Sequence, residues 1–260
     1  TDDGVLGDRR TFTWYTRWQD AGPVKLARQV DVEVNGRLLS HTVITAASVN
    51  PSLDAALFAI PDSMRTRTAA PAAAPGITVS LVNLAPGLWR AEGGTHHSLV
   101  VEQGTNLLVI EGPQSAARSN AVLDTLASRF RGRRVSSVVM THHHYDHSGG
   151  IRAYMARGIP VIAHQRNVAF ARGIGAARKT KAPDRLSRGA VAPIVSAVRD
   201  SLVLGTGDPR VVLHHLPTSH AEGVLAAWHP SSGTVFTSDV LSGAANQAPP
   251  RLGSVEMAAF

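Results

Sequence analysis

A dense group of side chains that could bind metal lies in the segment from Thr141 to Gly150. Four histidines and one aspartate occur within six residues of it: His142, His143, His144, Asp146 and His147. Neither a packed core nor an ordinary solvated loop accounts for this density, because buried polar groups need partners. Neutral imidazoles and carboxylates suit zinc, and also iron or manganese. The segment therefore predicts a metal site.

The spacing within the segment favours two adjacent ions. In an extended chain side chains alternate, so His142 and His144 point the same way and can share one ion. Asp146 and His147 fall where Ser148-Gly149-Gly150 turns the chain toward a helix, and they can reach a second ion. His143 points the other way, and we interpret it as a supporting residue.

Two further candidates each follow a predicted strand. His220, in Thr218–Gly223, comes after the predicted strand Val211–Leu216 and can complete three imidazoles around the first ion. Asp239 follows Val235–Phe236, and its carboxylate could bridge the two ions.

The elements that must position these residues alternate between strands and helices. Predicted strands are Val79–Leu84, Leu88–Ala91, Ser98–Glu102, Leu107–Ile110, Val135–Met140, Val161–His164, Ser201–Leu204, Val211–Leu216, Val224–Trp228 and Val235–Ser238. Helices are predicted over Ser115–Phe130 and Gly150–Arg157, from apolar residues near helical spacing. The order of these elements along the chain, in which strands are followed by αβ units and then by strands again, predicts a layered α/β sandwich.

The chain before this region has a different pattern. Residues 1–64 predict a small β-rich accessory domain, in which Asn35-Gly36 between two alternating runs indicates a hairpin. Residues 65–76 have the composition of a linker, rich in alanine with two prolines. We therefore place the site in a second domain over residues 77–260.

Composition excludes several classes of protein. The chain has no cysteine, which rules out disulfides and Cys-ligated zinc. No apolar run approaches the ~20 residues that span a bilayer, so no membrane span is expected. The net charge is +7, but the basic residues are scattered and 23 of the 26 are arginine. We interpret this as a compositional bias and expect a small-molecule substrate rather than nucleic acid.

The pattern His142-x-His144-x-Asp146-His147, followed by His220 and Asp239, resembles the metallo-β-lactamase superfamily over residues 77–239. The resemblance implies an αββα four-layer sandwich and a hydrolase that uses a metal-bound hydroxide to attack an ester, lactone, thioester or amide carbonyl. It implies two divalent ions, zinc above iron or manganese. His142, His144 and His220 would hold the first, and Asp146, His147 and Asp239 the second.

Two residues of the histidine segment are catalytic candidates. Asp146 would orient the nucleophile and pass a proton to the leaving group. Tyr145 would donate a hydrogen bond to an oxyanion, or else pack its ring against the neighbouring sheet.

The chain departs from the family pattern in two features, and one residue of the pattern narrows the substrate. Members usually supply a last histidine after the bridging aspartate, but none occurs after His229 here, so we expect truncation at the C-terminus and a final ligand beyond Phe260. Glu111 stands where the family more often has Asp, and we expect it to support the histidine loop. Asp239 stands where many β-lactamases have Cys or Ser, which favours lactonases and thioesterases over β-lactamases.

Three alternatives remain open at this level. They are a nuclease of the same superfamily, a mononuclear iron oxygenase-type relative and a degenerate binding protein without activity.

Two further segments have other interpretations. Of His96 and His97, in Gly93–Ser98, we expect at most one to line the pocket. The segment from Asn50 to Pro61 resembles the end of a lipoprotein-carrier-like half barrel, which would imply a periplasmic or secreted protein, with a cytoplasmic location as the alternative.

Overall fold

The computed structural model describes residues 1–65, 76–189, 191–242 and 251–252. The chain divides into two compact units, of which one contains Thr1 with Arg9–Gly76 and the other contains Asp2–Asp8 with Ile77–Phe260. Most of the predicted linker (66–75) and the chain from residue 253 lie outside the described residues. The linker and the truncation therefore stay predictions.

The chain begins with a short hairpin that belongs to the second unit. Strands β1 (Asp2–Asp3) and β2 (Gly7–Asp8) pair antiparallel. The buried Lys179 places Nζ 2.8 Å from both carboxylate oxygens of Asp2. Asp8 accepts hydrogen bonds from the backbone and the hydroxyl of Thr180. These contacts fasten the hairpin to residues more than 170 positions away in sequence.

The first unit is an antiparallel sheet of three strands: β3 (Thr11–Ala21), β4 (Val24–Val34) and β5 (Arg37–Val43). Asn35 and Gly36 both have positive φ angles, 49° and 81°, as the tight turn between β4 and β5 requires. The predicted hairpin is confirmed. A 3-10 turn (Ala55–Phe58) and a short helix, α1 (Asp62–Arg65), come next in the chain.

The second unit contains a sheet of seven strands. They are β6 (Ser80–Ala85), β7 (Leu88–Glu92), β8 (Ser98–Gln103), β9 (Asn106–Ile110), β10 (Arg134–Met140), β11 (Val161–His164) and β12 (Val195–Val198). Their spatial order is β12-β11-β10-β9-β8-β7-β6. The neighbours from β9 to β12 are parallel, and the others are antiparallel.

A second, antiparallel sheet has four strands in the order β13 (Ser201–Leu204), β14 (Val211–Leu216), β15 (Val224–His229) and β16 (Thr234–Phe236). Strand β17 (Leu241–Ser242) pairs with β18 (Arg251–Leu252). The helices of this unit are α2 (Ala116–Arg129), α3 (Tyr145–Ser148), α4 (Ile151–Met155), α5 (Val168–Ala176) and α6 (Arg185–Arg188). Short 3-10 turns span Gln165–Asn167, Pro230–Ser232 and Ser238–Val240.

Strand β10 shows why the layers form. Val138 and Met140 face a core that also contains Val122 and Ile151 of the helices, whereas Val139 faces a core shared with the four-stranded sheet. Because successive side chains point to opposite faces, the end of β10, which is buried on both sides, is apolar at each of the residues Val138–Met140. The predicted αββα sandwich is confirmed. In the described part of the chain, no helix is long and apolar enough to cross a membrane.

Candidate metal centre

The candidate site lies where parallel strands β9 and β10 end. Ile110 pairs with Val139, so the next residues, Glu111 and Thr141, emerge at the same edge of the sheet. The carbonyl of Thr141 accepts a hydrogen bond from Leu225 N at 3.0 Å, which ties the end of β10 to the start of β15. The two sheets therefore meet at the point where the histidine segment begins.

Two adjacent glycines let the histidine segment turn sharply. A Cβ on Gly149 would lie 2.3 Å from the carbonyl oxygen of Gln114, and one on Gly150 would lie 2.0 Å from Ser119 Oγ. Gly150 N also donates to Gly112 O at 2.8 Å. Since no larger residue fits, the glycines hold α3, and with it Asp146 and His147, against the end of β9.

Four of the predicted ligands converge. One ring nitrogen each from His142, His144 and His220 and one oxygen of Asp239 all lie within 4.8 Å of one another. The Nε2 atoms of His142 and His220 are 3.3 Å apart, and Asp239 Oδ2 is 3.2 Å from His220 Nε2. The structure thus brings the three imidazoles predicted for the first ion together with the predicted bridging carboxylate.

The residues predicted for the second ion lie beside this group. His147 Nε2 is 2.9 Å from Asp239 Oδ2 and 3.7 Å from Asp146 Oδ2. Asp146 is about half exposed, with 48% of its side chain accessible. Asp239 Oδ2 therefore lies within 4.0 Å of the Nε2 atoms of His142, His147 and His220.

Glu111 supports this arrangement from within the core, as predicted. Its Oε1 accepts hydrogen bonds from Thr141 Oγ1 at 2.7 Å and Ser238 Oγ at 2.6 Å, and it lies 2.9 Å from His147 Nδ1. Glu111 and His147 are nearly fully buried. Because Glu111 binds the Nδ1 side of His147, Nε2 faces the opposite direction, toward Asp239. This geometry makes Glu111 a hydrogen-bond acceptor that orients His147, even though its oxygen is also close to His142.

Burial and neighbouring charge set the protonation of the imidazoles. Burial lowers the pKa of His142 to about 2, and the nearby rings of His147, His144 and His220 contribute to this lowering, so His142 is neutral at pH 7. Burial likewise lowers the pKa of His144. Burial alone would lower the pKa of His147, but the hydrogen bond and charge of Glu111, with the charges of the two aspartates, raise it overall.

The donor set fits a divalent cation. In a tetrahedral zinc site, bonds of about 2.0–2.1 Å place neighbouring ligand atoms about 3.3 Å apart, which is the separation of the Nε2 atoms of His142 and His220. His147 Nε2 is buried and has no hydrogen-bond partner among the described residues. In the neutral ring of His147 the proton is on Nδ1, which is paired with Glu111, so Nε2 is a hydrogen-bond acceptor. Asp239 Oδ2 is also an acceptor. Such atoms repel at 2.9 Å unless a proton or cation lies between them.

Two predicted residues lie outside the converging group. The ring of His143 lies 5.8 Å from that of Phe170, consistent with its interpretation as a supporting residue. Tyr145 is 56% exposed, which disfavours the alternative that its ring packs against the sheet. A Cβ on Gly4 would lie 3.5 Å from the Tyr145 ring, so the N-terminal hairpin borders this side chain.

One residue of the site was missed as a ligand candidate. His96 Nε2 lies 3.3 Å from Asp146 Oδ2, and its ring is 4.7 Å from that of His147. The topology of the sheet contained a signal for it. Strand β8 runs antiparallel to β9 with Leu99 opposite Ile110, so the loop before β8 must lie at the edge where β9 ends.

Comparison with known proteins agrees with this geometry. A family model described as the metallo-beta-lactamase superfamily matches residues 91–253, more than half of the chain. A search of curated proteins found no match.

The solved structures that are similar to the chain include two metallo-beta-lactamases. The metallo-beta-lactamase DIM-1 has a TM-score of 0.50 at 14% identity, over 66% of this chain and 73% of that chain. A metallo-beta-lactamase from Pontibacter korlensis has a TM-score of 0.52 at 15% identity, over 67% of this chain and 80% of that chain. At such identities the likeness shows a shared fold.

Proposed function

The chain belongs to the metallo-beta-lactamase superfamily, and we propose that it is a metal-dependent hydrolase acting on the carbonyl group of a small ester, lactone, thioester or amide. The observation that carries the proposal is the convergence of His142, His144, His220 and Asp239. Superfamily membership supports hydrolase chemistry in general. The substrate class and the metal are the finer parts of the proposal.

We assign the ligands from the geometry of the donor atoms. His142, His144 and His220 would hold one divalent ion, His147 and Asp146 would hold a second, and Asp239 would touch both. Zinc is the proposed metal because imidazole and carboxylate ligands at these spacings suit it. When bound, ions at such a site supply Lewis-acid chemistry, which polarises a carbonyl and lowers the pKa of water toward neutrality.

The protein's own groups would orient the reaction. Glu111 holds the proton of His147 on Nδ1, so Nε2 is free to act as a ligand. Asp146 is a proposed ligand that is about half exposed, and its carboxylate would also accept a proton from water and return it to the leaving group. Tyr145, on the same short helix, would donate its hydroxyl hydrogen bond to a substrate oxygen.

The substrate proposal rests on one residue. Asp239 is an aspartate at the position where many β-lactamases of this superfamily have Cys or Ser. We therefore favour lactones and thioesters over β-lactams. A periplasmic or secreted location remains part of the proposal, and it is independent of the chemistry.

Metal analysis of the full chain, combined with a substrate panel, tests the proposal. We expect zinc to co-purify, and turnover of a lactone or thioester to disappear on chelation and to return when zinc is added back. His142→Ala should lose both metal and turnover, whereas His214→Ala, which removes an exposed imidazole of β14 outside the converging group, should keep both. If His142→Ala kept its metal and its turnover, the ligand assignment would be wrong.

A further inference from the structure

The loop Gly93–His97 joins β7 to β8 at the edge of the sheet where Glu111 and His142 lie. The antiparallel register between β8 and β9 places it there, because Leu99, at the start of β8, pairs with Ile110, at the end of β9. The loop is therefore placed by the sheet rather than by its own sequence, and it brings His96 to the candidate site.

Close contacts hold this loop in position. Gln114 Nε2 donates to Thr95 Oγ1 at 2.9 Å, and the backbone N of the same Gln114 donates to the carbonyl of Asp146 at 2.9 Å. A Cβ on Gly94 would lie 2.3 Å from Gln114 Oε1. Gln114 thus connects the loop that carries His96 to the helix that carries Asp146 and His147.

The ring of His96 is oriented by its own neighbour. Its Nδ1 lies 2.9 Å from Thr95 Oγ1, which leaves Nε2 directed at Asp146 Oδ2, 3.3 Å away. The His96 and His147 rings are 4.7 Å apart and nearly perpendicular. One atom each from His96, His147 and Asp239 lie within 4.8 Å of one another.

These contacts carry a specific assignment. We infer that His96 supplies Nε2 as a ligand to the second divalent cation, in addition to His147, Asp146 and Asp239, which are already proposed to hold it. The inference rests on the proposed function, since it completes the second half of the same metal centre. Two imidazoles and carboxylate oxygens suit zinc and related divalent ions. Every side chain in this assignment belongs to the described residues.

The test is a metal titration of the full chain and of three variants, read without any activity assay. Wild type, His96→Ala, His97→Ala and His214→Ala are stripped with chelator and titrated with zinc against a chromophoric competitor. We expect wild type to bind two ions. His96→Ala should keep the first ion and bind the second more weakly by over about 100-fold, which exceeds the 10–100-fold cost of losing an outer hydrogen-bond partner. His97→Ala and His214→Ala, the latter an exposed histidine of β14, should bind both ions as wild type does.

A second readout separates a ligand from a residue that only orients Asp146. In protein loaded with ¹¹³Cd and labelled with ¹⁵N-histidine, a ligating His96 shows a scalar coupling between the metal and Nε2, and an orienting His96 does not. Circular dichroism checks that each variant is folded.

Each other outcome overturns the inference. His96 would be only a hydrogen-bond partner of Asp146 if His96→Ala bound both ions with wild-type affinity. The same would hold if the scalar coupling between ¹¹³Cd and His96 Nε2 were absent. If His97→Ala also lost the second ion, the weaker binding would come from disturbing the loop Gly93–His97 and not from losing the His96 imidazole. Wild type binding one ion would reject the inference and the second ion of the proposed centre but leave a metal-dependent hydrolase with one ion standing, whereas wild type binding none would reject both.

Discussion

Glu111 and His147 form a buried pair, with Oε1 2.9 Å from Nδ1 and both side chains almost fully inaccessible to solvent. The pair links the end of β9 to α3, two segments 36 residues apart in sequence. It determines which nitrogen of His147 faces the site. The orientation of a proposed ligand is thus fixed by a contact within the core.

Glu111→Gln is expected to weaken metal binding without unfolding the protein. Glutamine has nearly the same shape but removes the negative charge that stabilises the His147 Nδ1 proton, so zinc affinity should fall by about 10–100-fold. Competition with a chromophoric chelator measures the change. Glu102→Gln is the control, because Glu102 on β8 instead pairs with Trp89 and Arg133. An equal loss of affinity in both variants would show that Glu111 has no special role.

The glycines beside the site give a second prediction. Gly149→Ala would place a Cβ 2.3 Å from Gln114 O and 2.7 Å from Tyr145 O, and backbone atoms cannot move aside as a side chain can. We expect destabilisation of about 1–3 kcal/mol from overpacking and weaker zinc binding, because α3 must shift. Thermal unfolding and zinc titration measure the two effects.

A matched glycine in α5 provides the contrast. A Cβ on Gly173 would contact nothing within 4 Å. Gly173→Ala should therefore leave metal binding unchanged and stabilise the helix by up to about 1 kcal/mol. If both substitutions had the same effect, close approach at Gly149 would not be the cause.

Sequence patterns predicted the parts of the fold that are local. The ends of strands β9 and β10 are short apolar runs because both of their faces are buried there, and the edge of the sheet beside the histidine segment could be located from that pattern. Helix α2 was predicted from its apolar spacing, and Ser115, at its N-cap, accepts a hydrogen bond from Arg118 N.

Other elements left weaker signals. Helix α5 was not predicted, because Gly173 and Gly175 lower its helical propensity and its stability comes from burial of Ala171 and Ile174. The contact of Asp2 with Lys179 joins residues 177 positions apart, and no local pattern reports such a pair. His96 was missed for the same reason, since only the register between β8 and β9 reveals its position.

The Asp2–Lys179 pair gives a prediction for the N-terminal hairpin. Lys179 is 6% exposed and donates to Asp2 Oδ1 and Oδ2 and to Asp3 O, all at 2.8 Å. Lys179→Met leaves Asp2 unpaired, and we expect a loss of about 1–3 kcal/mol, less than for a fully buried pair because Asp2 is partly exposed. Urea unfolding measures it.

An exposed lysine supplies the comparison for that variant. Lys25 lies 4.0 Å from Asp20, and both side chains are more than 70% exposed. Lys25→Met should change the unfolding free energy by less than about 0.5 kcal/mol. Comparable losses in the two lysine variants would show that burial of Lys179 contributes nothing.

The contact between Arg152 of α4 and Asp184 predicts how stability depends on pH. Burial by itself raises the pKa of Asp184, but hydrogen bonds from Arg152 and Ser187 outweigh burial and lower it from the ordinary 3.8 to about 2. A carboxyl whose pKa is lower in the folded state stabilises the fold above the unfolded pKa. The stabilisation is lost as pH falls from 3.8 toward 2.

Wild type should therefore lose about 1–2 kcal/mol between pH 4 and pH 2 through this group, a value reduced for the partial exposure of Asp184. Asp184→Asn should be less stable than wild type at pH 7, and the difference should shrink as pH falls through this window, because the amide does not titrate. Urea unfolding at a series of pH values measures both. Asp124→Asn is the control, since Asp124 pairs with Arg157 while 74% exposed, and this substitution should change the unfolding free energy at pH 7 by less than about 0.5 kcal/mol. A constant difference between wild type and Asp184→Asn from pH 7 to pH 2 would show that the Asp184 carboxylate does not contribute.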